Sequence, residues 1–382
     1  MRLLGFAMAL AWLPMFSEAS NGPKWVVASL LIPLLIRPQI VMTKAHWTGL
    51  ALLAWSSVSL LWAVSLYDGI NQFWKYVVLG GAFMVGSQRD VRPALRWFAV
   101  GMAINTALAV AQHFGVLGSL SVAGYAGLLM NKNYLAEAGL MATVAALVAG
   151  PKWLAVPGLI AWILPLSKSA IVAGGIAFGC LLFKVRKRLA IAVVVLALTI
   201  GGAMLWRFVD LHGFWDRSPG GRLAMAANTV AAIYDQPWGH GVGSFWSAYP
   251  LYHDRVLPSG QGVYLATVRP RTAHSDILTT GFELGLPGLL LLGLLFTFAL
   301  RSREPAKYVV LAFGALGLFA FPLYVPHTAI MAALVAGYVC RGRRAVRGLP
   351  NSRRAHLYTR HAHAGRAPQG HAVPGSGGAV PT

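Results

Sequence analysis

The sequence predicts an all-α polytopic membrane protein of about 12 transmembrane helices, with one long outer loop containing short helices. Three observations lead there. Of 382 residues, 57% are hydrophobic and only 11% are charged, where a soluble domain has about 25% charged residues. The mean hydropathy is +0.61, and the apolar character runs along the whole chain rather than in one anchor. The short segments between apolar runs are mostly basic, on alternate sides, as positive-inside topology requires.

The apolar runs lie at residues 3–17, 24–36, 47–66, 71–87, 96–114, 133–149, 153–166, 169–183, 189–207, 274–300, 308–322 and 326–340. The first follows Arg2 like a signal peptide, but a second apolar run comes at once, so it reads as a span. The basic groups Arg2, Arg37–Lys44, Arg89/Arg92/Arg96, Lys152, Lys184–Arg188, Arg301/Arg303/Lys307 and the tail fall on one side of this alternation. Asp68, the 115–132 segment and the 208–273 loop fall on the other. The long loop carries five Arg and four Asp, and long loops cross largely regardless of charge. Both termini are therefore expected inside and this loop outside.

The chain divides accordingly. Residues 1–207 hold the first nine spans, 208–273 the outer loop, 274–340 the last three spans, and 341–382 a basic disordered tail. The tail is rich in Arg, His, Gly and Pro and has no acidic residue, the composition of a segment that cannot build a core. The net charge of +21 sits beside spans, so it points to anionic lipid and to topology rather than to nucleic acid. Cys180 and Cys340 give neither a disulfide framework nor a metal spacing, and no P-loop signature is present, so no cofactor is expected.

Within the loop, Leu223, Ala226, Ala227, Val230 and Ile233 recur at helical spacing over Arg222–Asp235, as in an amphipathic helix lying on a membrane face. Pro237-Trp-Gly-His-Gly-Val-Gly243 then breaks it. Gly239, Gly241 and Gly243 either form an anion-binding nest of N–H groups or serve a turn that needs positive φ. Arg217 and Arg222 flank one end of the loop and Arg269 and Arg271 the other; together they suit phosphate at headgroup depth, which Arg grips bidentately. Arg255 reads as a solvated charge. Lys168 lies between two apolar runs, where a charge costs about 2.5–3.5 kcal/mol at the bilayer centre; it either snorkels or serves a site. A Ser–Lys dyad with Ser167 or Ser169 is disfavoured, because adjacent residues diverge on a helix. Asn131 and Asn133 open a span, where the bland role is capping. Asp276, Thr280 and Glu283 share one face of the tenth span and should point into the bundle.

These residues, in this order, resemble the O-antigen ligase and O-antigen polymerase superfamily. Gly221-Arg222, a short helix and Pro237-Trp-Gly-His-Gly-Val-Gly-Ser-Phe245 resemble one family element. Ala273-His274-Ser275 with Glu283-Leu-Gly-Leu-Pro-Gly288 resembles a second, and Asn131-Lys-Asn133 a third. Ser275 stands where the family has Asn, and Lys168 where many members have Arg; Lys keeps the charge and loses the planar fork.

The resemblance implies a metal-independent glycosyltransferase of the bacterial inner membrane. The donor would be an undecaprenyl-diphosphate-linked glycan. The acceptor would be lipid A–core in a ligase, a repeat unit in a polymerase, or a protein hydroxyl. It implies His274 as catalytic base and Arg222 as catalytic cation. Arg217, Lys168, Arg269 and Arg271 would bind the diphosphate with Arg222, supported by Asn133, Gly241, Gly243, Asp276 and Glu283. A neutral His274 is expected from the helix start and nearby Arg; neither Asp276 nor Glu283 lies on its side of a regular helix. The competing class is a transporter or flippase for an anionic lipid, which would more typically show inverted repeats and interrupted midplane helices; a purely structural membrane protein is a weaker alternative.

Overall fold

In a computed structural model the expected apolar segments each coincide with a helix, and all regular structure among the described residues is helical. The described residues are 1–12, 20–39, 41–118, 125–183, 186–212, 219–253, 255–256 and 270–341, with backbone alone at 190, 201, 204–212 and 219–221. The tail expectation for 341–382 thus lies outside them beyond Arg341. In chain order the helices are α1 (Arg2–Leu10), α2 (Asn21–Leu35), α3 (Lys44–Val58), α4 (Leu66–Gln88), α5 (Arg92–His113), α6 (Lys132–Ala149) and α7 (Ala155–Ile163). There follow α8 (Lys168–Phe183), α9 (Lys187–His212), α10 (Pro219–Asp235), α11 (Phe245–Ala248), α12 (Asp276–Leu300), α13 (Lys307–Phe319) and α14 (Pro326–Cys340).

Two of these, α5 and α12, are long and apolar enough to cross a membrane by length and composition, while α8, α13 and α14 are shorter apolar helices. Several boundaries move from their expected places. The first helix ends at Leu10, and the ninth runs on to His212. The tenth apolar segment becomes helical only at Asp276, so His274 lies in the loop ahead of it.

Helices pair as α1 with α5, α4 with α14, α6 with α7, α8 with α9, and α3 with α12. Small residues set the approach. A Cβ at Gly86 would stand 1.9 Å from the Leu334 carbonyl oxygen, and one at Gly337 would stand 1.9 Å from that of Phe83. Only glycine permits this backbone contact between α4 and α14, the close packing typical of helices in lipid. The main core between α4, α5, α6, α13 and α14 is aliphatic; a second, aromatic core of Phe245, Tyr249 and Phe282 lies under the α10–α11 region.

One break in α12 positions the site. Gly285 has φ 66° and ψ −165°, and Pro287 has no N–H. In an unbroken helix the carbonyls of Phe282 and Glu283 would accept from residues 286 and 287. Here neither bond forms, and two carbonyls are left for other donors.

Candidate active site

The turn at 237–245 fills that gap. The N–H of His240 donates to the Phe282 carbonyl at 2.8 Å and that of Gly241 to the Glu283 carbonyl at 3.0 Å. In return, the Leu286 N–H donates to the Pro237 carbonyl at 2.8 Å. Trp55 Nε1 donates to the Leu284 carbonyl at 2.8 Å, and Trp62 Nε1 to that of Gly239 at 3.0 Å. Pro237–Gly243 and Glu283–Gly288 are thus two halves of one splice, which is why both stretches carry glycines. Gly239, Gly241 and Gly243 have φ of 85°, 94° and 72°, and a Cβ on any of them would stand 2.4 Å from backbone of a neighbouring segment.

Of the two readings of these glycines, the geometry fits the turn that needs positive φ. Val242 N–H donates to Ser59 Oγ at 3.1 Å. Phe245 N–H donates to Glu283 Oε1 at 3.4 Å, and the Gly243 N–H also donates to the Glu283 carboxyl. Tyr324 Oη donates to Glu283 Oε2 at 3.0 Å. The turn does hold an acid, and it is the chain's own Glu283, 1% exposed. His240 is structural too: its ring stacks on Phe282 at 4.2 Å and its Nε2 meets Tyr252 Oη at 3.0 Å.

The cations gather elsewhere along α12. Arg222, on the first turns of α10, is close enough to act on the charge of both Lys168 and His274, and Lys132 acts on Lys168 as well. Four residues from four segments thus lie within electrostatic reach of Lys168 or Arg222: Lys132 opening α6, Lys168 opening α8, Arg222 on α10 and His274 ahead of α12. Arg222 reaches open space, but protein surrounds its guanidinium, and that desolvation lowers its pKa. Among the described residues no carboxylate forms an ion pair with it.

His274 has its pKa lowered to about 4, first by burial and then by the Arg222 charge. Both causes favour the neutral imidazole, and the cation that contributes is Arg222 rather than Arg269 or Arg271. Its ring meets Phe321 edge-on at 5.4 Å. It also adopts φ 54°, and the other non-glycine residues with positive φ among those described are Met130 and Leu166. Each of the three stands two residues before the start of α6, α8 or α12, with Asn131, Ser167 and Ser275 between. Left-handed backbone costs about 1–2 kcal/mol for such residues, and here it recurs at three of the four entries that supply the cluster.

The remaining candidates are placed variously. Asn131 caps α6, its Oδ1 accepting from the Asn133 N–H at 2.9 Å; Asn133 itself sits in the first turn, next to Lys132. Ser275 caps α12, accepting from the Leu278 N–H at 3.4 Å and donating to the Gly317 carbonyl at 3.2 Å, which explains a hydroxyl there. Asp276 turns away from His274: its Oδ2 accepts from the Leu323 N–H at 2.9 Å, so it ties α12 to the α13–α14 connection. Asp276, Thr280 and Glu283 are all buried, as their shared face predicted. Ser167 and Ser169 pair with each other at 3.3 Å. Arg217 and Arg269 lie outside the described residues. Arg271 is exposed, with its guanidinium 5.7 Å from the Trp246 ring centroid, and it lines a different cavity.

α10 starts at Pro219 and is two-faced. Ala224, Asn228, Thr229 and Ala232 are buried, while Leu223 and Val230 are 51% and 55% exposed. Asn228 fastens the loop, donating to the His253 carbonyl and accepting from the Val256 N–H at 2.7 Å. Arg255 pairs with Asp235 at 3.1 Å rather than being merely solvated. Lys132 was not among the expected site residues, although it sits inside the Asn131-Lys-Asn133 element.

Residues 153–293 match the family model described as O-antigen ligase. That segment contains Lys168, Arg222, the whole splice and His274. No curated protein matches the chain. Over this segment, and in the residues it contains, the chain is similar to the O-antigen ligase family.

Proposed function

We propose that this protein transfers a glycan from undecaprenyl diphosphate to an acceptor hydroxyl at the periplasmic face of the bacterial inner membrane, as an O-antigen ligase acting on lipid A–core. The carrying observation is the convergence of Lys168, Arg222 and His274. In this reading the chain crosses the membrane about twelve times with both termini cytoplasmic, and α10 lays Leu223 and Val230 on the bilayer surface. The same residues would serve a polymerase, where the acceptor is another repeat unit.

The acceptor oxygen attacks the anomeric carbon, the bond from that carbon to the diphosphate oxygen breaks, and the hydroxyl proton passes to the neutral imidazole of His274. Negative charge builds on the leaving diphosphate, where Arg222 and Lys168 meet it. Fixed cations aimed at developing charge are worth about 10²–10³-fold each, and a positioned base about 10²–10⁴-fold. A base with a pKa near 4 is weak at neutral pH. The bound diphosphate, however, offsets the Arg222 charge, one of the two causes of that low pKa, so donor binding strengthens the base.

The test is a reconstituted assay with purified lipid-linked donor and lipid A–core acceptor. Arg222→Ala and His274→Ala should each lower transfer by about 10²-fold or more while the protein still inserts and purifies as the parent does. Parent-like transfer by both variants would overturn the reading.

A further inference from the structure

A second cavity, of about 490 Å³, opens between the outer parts of α2 and α4 and the segment around Trp246. Asp68, Asn71, Gln72 and Lys75 line it from α4, at spacing i, i+3, i+4 and i+7, so one face of this helix is polar for two turns. Polar side chains on a helix of an apolar bundle are costly toward lipid and mark an aqueous or ligand-lined space. Around them stand aromatic rings. Trp25 and Trp74 lie 6.2 Å apart, tilted, and Tyr67 and Trp246 complete the rim. Arg271 lies over Trp246, and Glu283 and Tyr324 close the floor. The charges are of both signs, Asp68 and Glu283 against Lys75 and Arg271, so the cavity is not a dedicated anion site.

We propose that this cavity is a saccharide-binding subsite. Flat aromatic faces accept the C–H faces of a pyranose. The Asn71 and Gln72 amides both donate to and accept from neighbouring hydroxyls, the Asp68 carboxylate accepts from them, and a few placed polar groups on an apolar frame are the usual composition of a specific ligand site. The cavity also lies at the right place. Arg271 lines it and His274 is three residues on, so their Cα atoms are at most about 11 Å apart. An oligosaccharide held here would have its end within reach of the segment that carries His274. The glycan is either the donor's or the acceptor's, since transfer brings both to this face; the assignment rests on the transferase reading.

The experiment has two arms. In the first, the intrinsic tryptophan fluorescence of the full chain in detergent is titrated with delipidated core oligosaccharide, with the delipidated donor glycan and, separately, with inorganic pyrophosphate. Saturable quenching by at least one of the two glycans is expected, weakened about tenfold in Asn71→Ala and Asp68→Asn. Pyrophosphate should not displace it. No quenching in the parent, parent-like quenching in both variants, or displacement by pyrophosphate overturns the proposal. This arm needs no turnover, so it stands apart from failure of the transferase reading. In the second arm, Asn71→Ala should raise one KM about tenfold with kcat little changed. A rise for the lipid A–core acceptor assigns the cavity to the acceptor glycan, and a rise for the donor assigns it to the donor glycan. A fall in kcat with both KM values unchanged overturns it.

Discussion

The turn at 237–245 and the cluster around Arg222 both lean on α12, and they treat polar groups in opposite ways. In the turn, N–H groups and the Glu283 carboxyl are matched within the chain, carbonyl to amide and carboxyl to hydroxyl. In the cluster, Lys132, Lys168 and Arg222 are brought together as like charges, with no carboxylate paired to Arg222 among the described residues. A protein gains nothing in stability from such crowding. Matched polar groups belong to the scaffold, while crowded like charges are what an anionic ligand, as in the proposed reaction, would offset.

The sharpest way to break this contrast is to exchange the expected phenotypes. Gly241→Ala adds a Cβ 2.4 Å from Ala63 Cα at φ 94°. It should cost at least about 3 kcal/mol through strain and overlap and remove the monodisperse species from size-exclusion chromatography. Arg222→Gln should leave the apparent Tm at or above that of the parent, since it removes a like charge beside Lys168. A stable, fully folded Gly241→Ala protein would end the scaffold assignment.

A smaller effect tests Glu283 as the acid held by the turn. Glu283→Gln replaces one acceptor oxygen by a donor facing either Tyr324 Oη or the Phe245 N–H, and should destabilise by about 1–3 kcal/mol. Tyr324→Phe, which removes one donor, should cost less. Thermal unfolding in detergent measures both. If Glu283→Gln kept the parent Tm but lost transfer, Glu283 would belong to the reacting centre instead.

The smallest effect is a shift in pH. His274 has to be neutral to accept a proton, so the rate falls as pH falls through its pKa. The acid limb of kcat/KM for the donor reports the free enzyme and should lie near 4. The limb of kcat reports the complex and should lie higher, because the bound diphosphate offsets Arg222. The stability sign follows as well. The unfolded imidazole takes its proton near 6.5 and the folded one only near 4, so this group destabilises the fold progressively as pH drops across that window. A kcat limb at or below that of kcat/KM would show that donor anion and imidazole do not sense each other.

Much of this was legible in the sequence, because apolar run length and Pro/Gly breaks are local signals. The helices fall where those runs lie, Asn131 caps α6, and the polar face of Asp276, Thr280 and Glu283 is buried. The partners were not legible. Glu283 meets the turn across about 40 residues of chain, and Trp55 reaches Leu284 across 229; no periodicity encodes such pairs. The left-handed backbone at Met130 and Leu166 was equally hidden, since neither side chain favours it. Lys132 and the polar stripe of α4 were readable by spacing: Lys132 and Asp68 stand just ahead of apolar runs, and Asn71, Gln72 and Lys75 share a helix face within one.

The splice between the turn and the broken α12 has a consequence for the connection beside it. It fixes the chain on both sides of residues 257–269, with Asn228 holding Val256 on one side and Ser275 capping α12 on the other. Lengthening a connection whose ends are already anchored is cheap, about 0.6 kcal/mol for each doubling. The connection can therefore change length at little thermodynamic cost while the ends that flank it stay anchored.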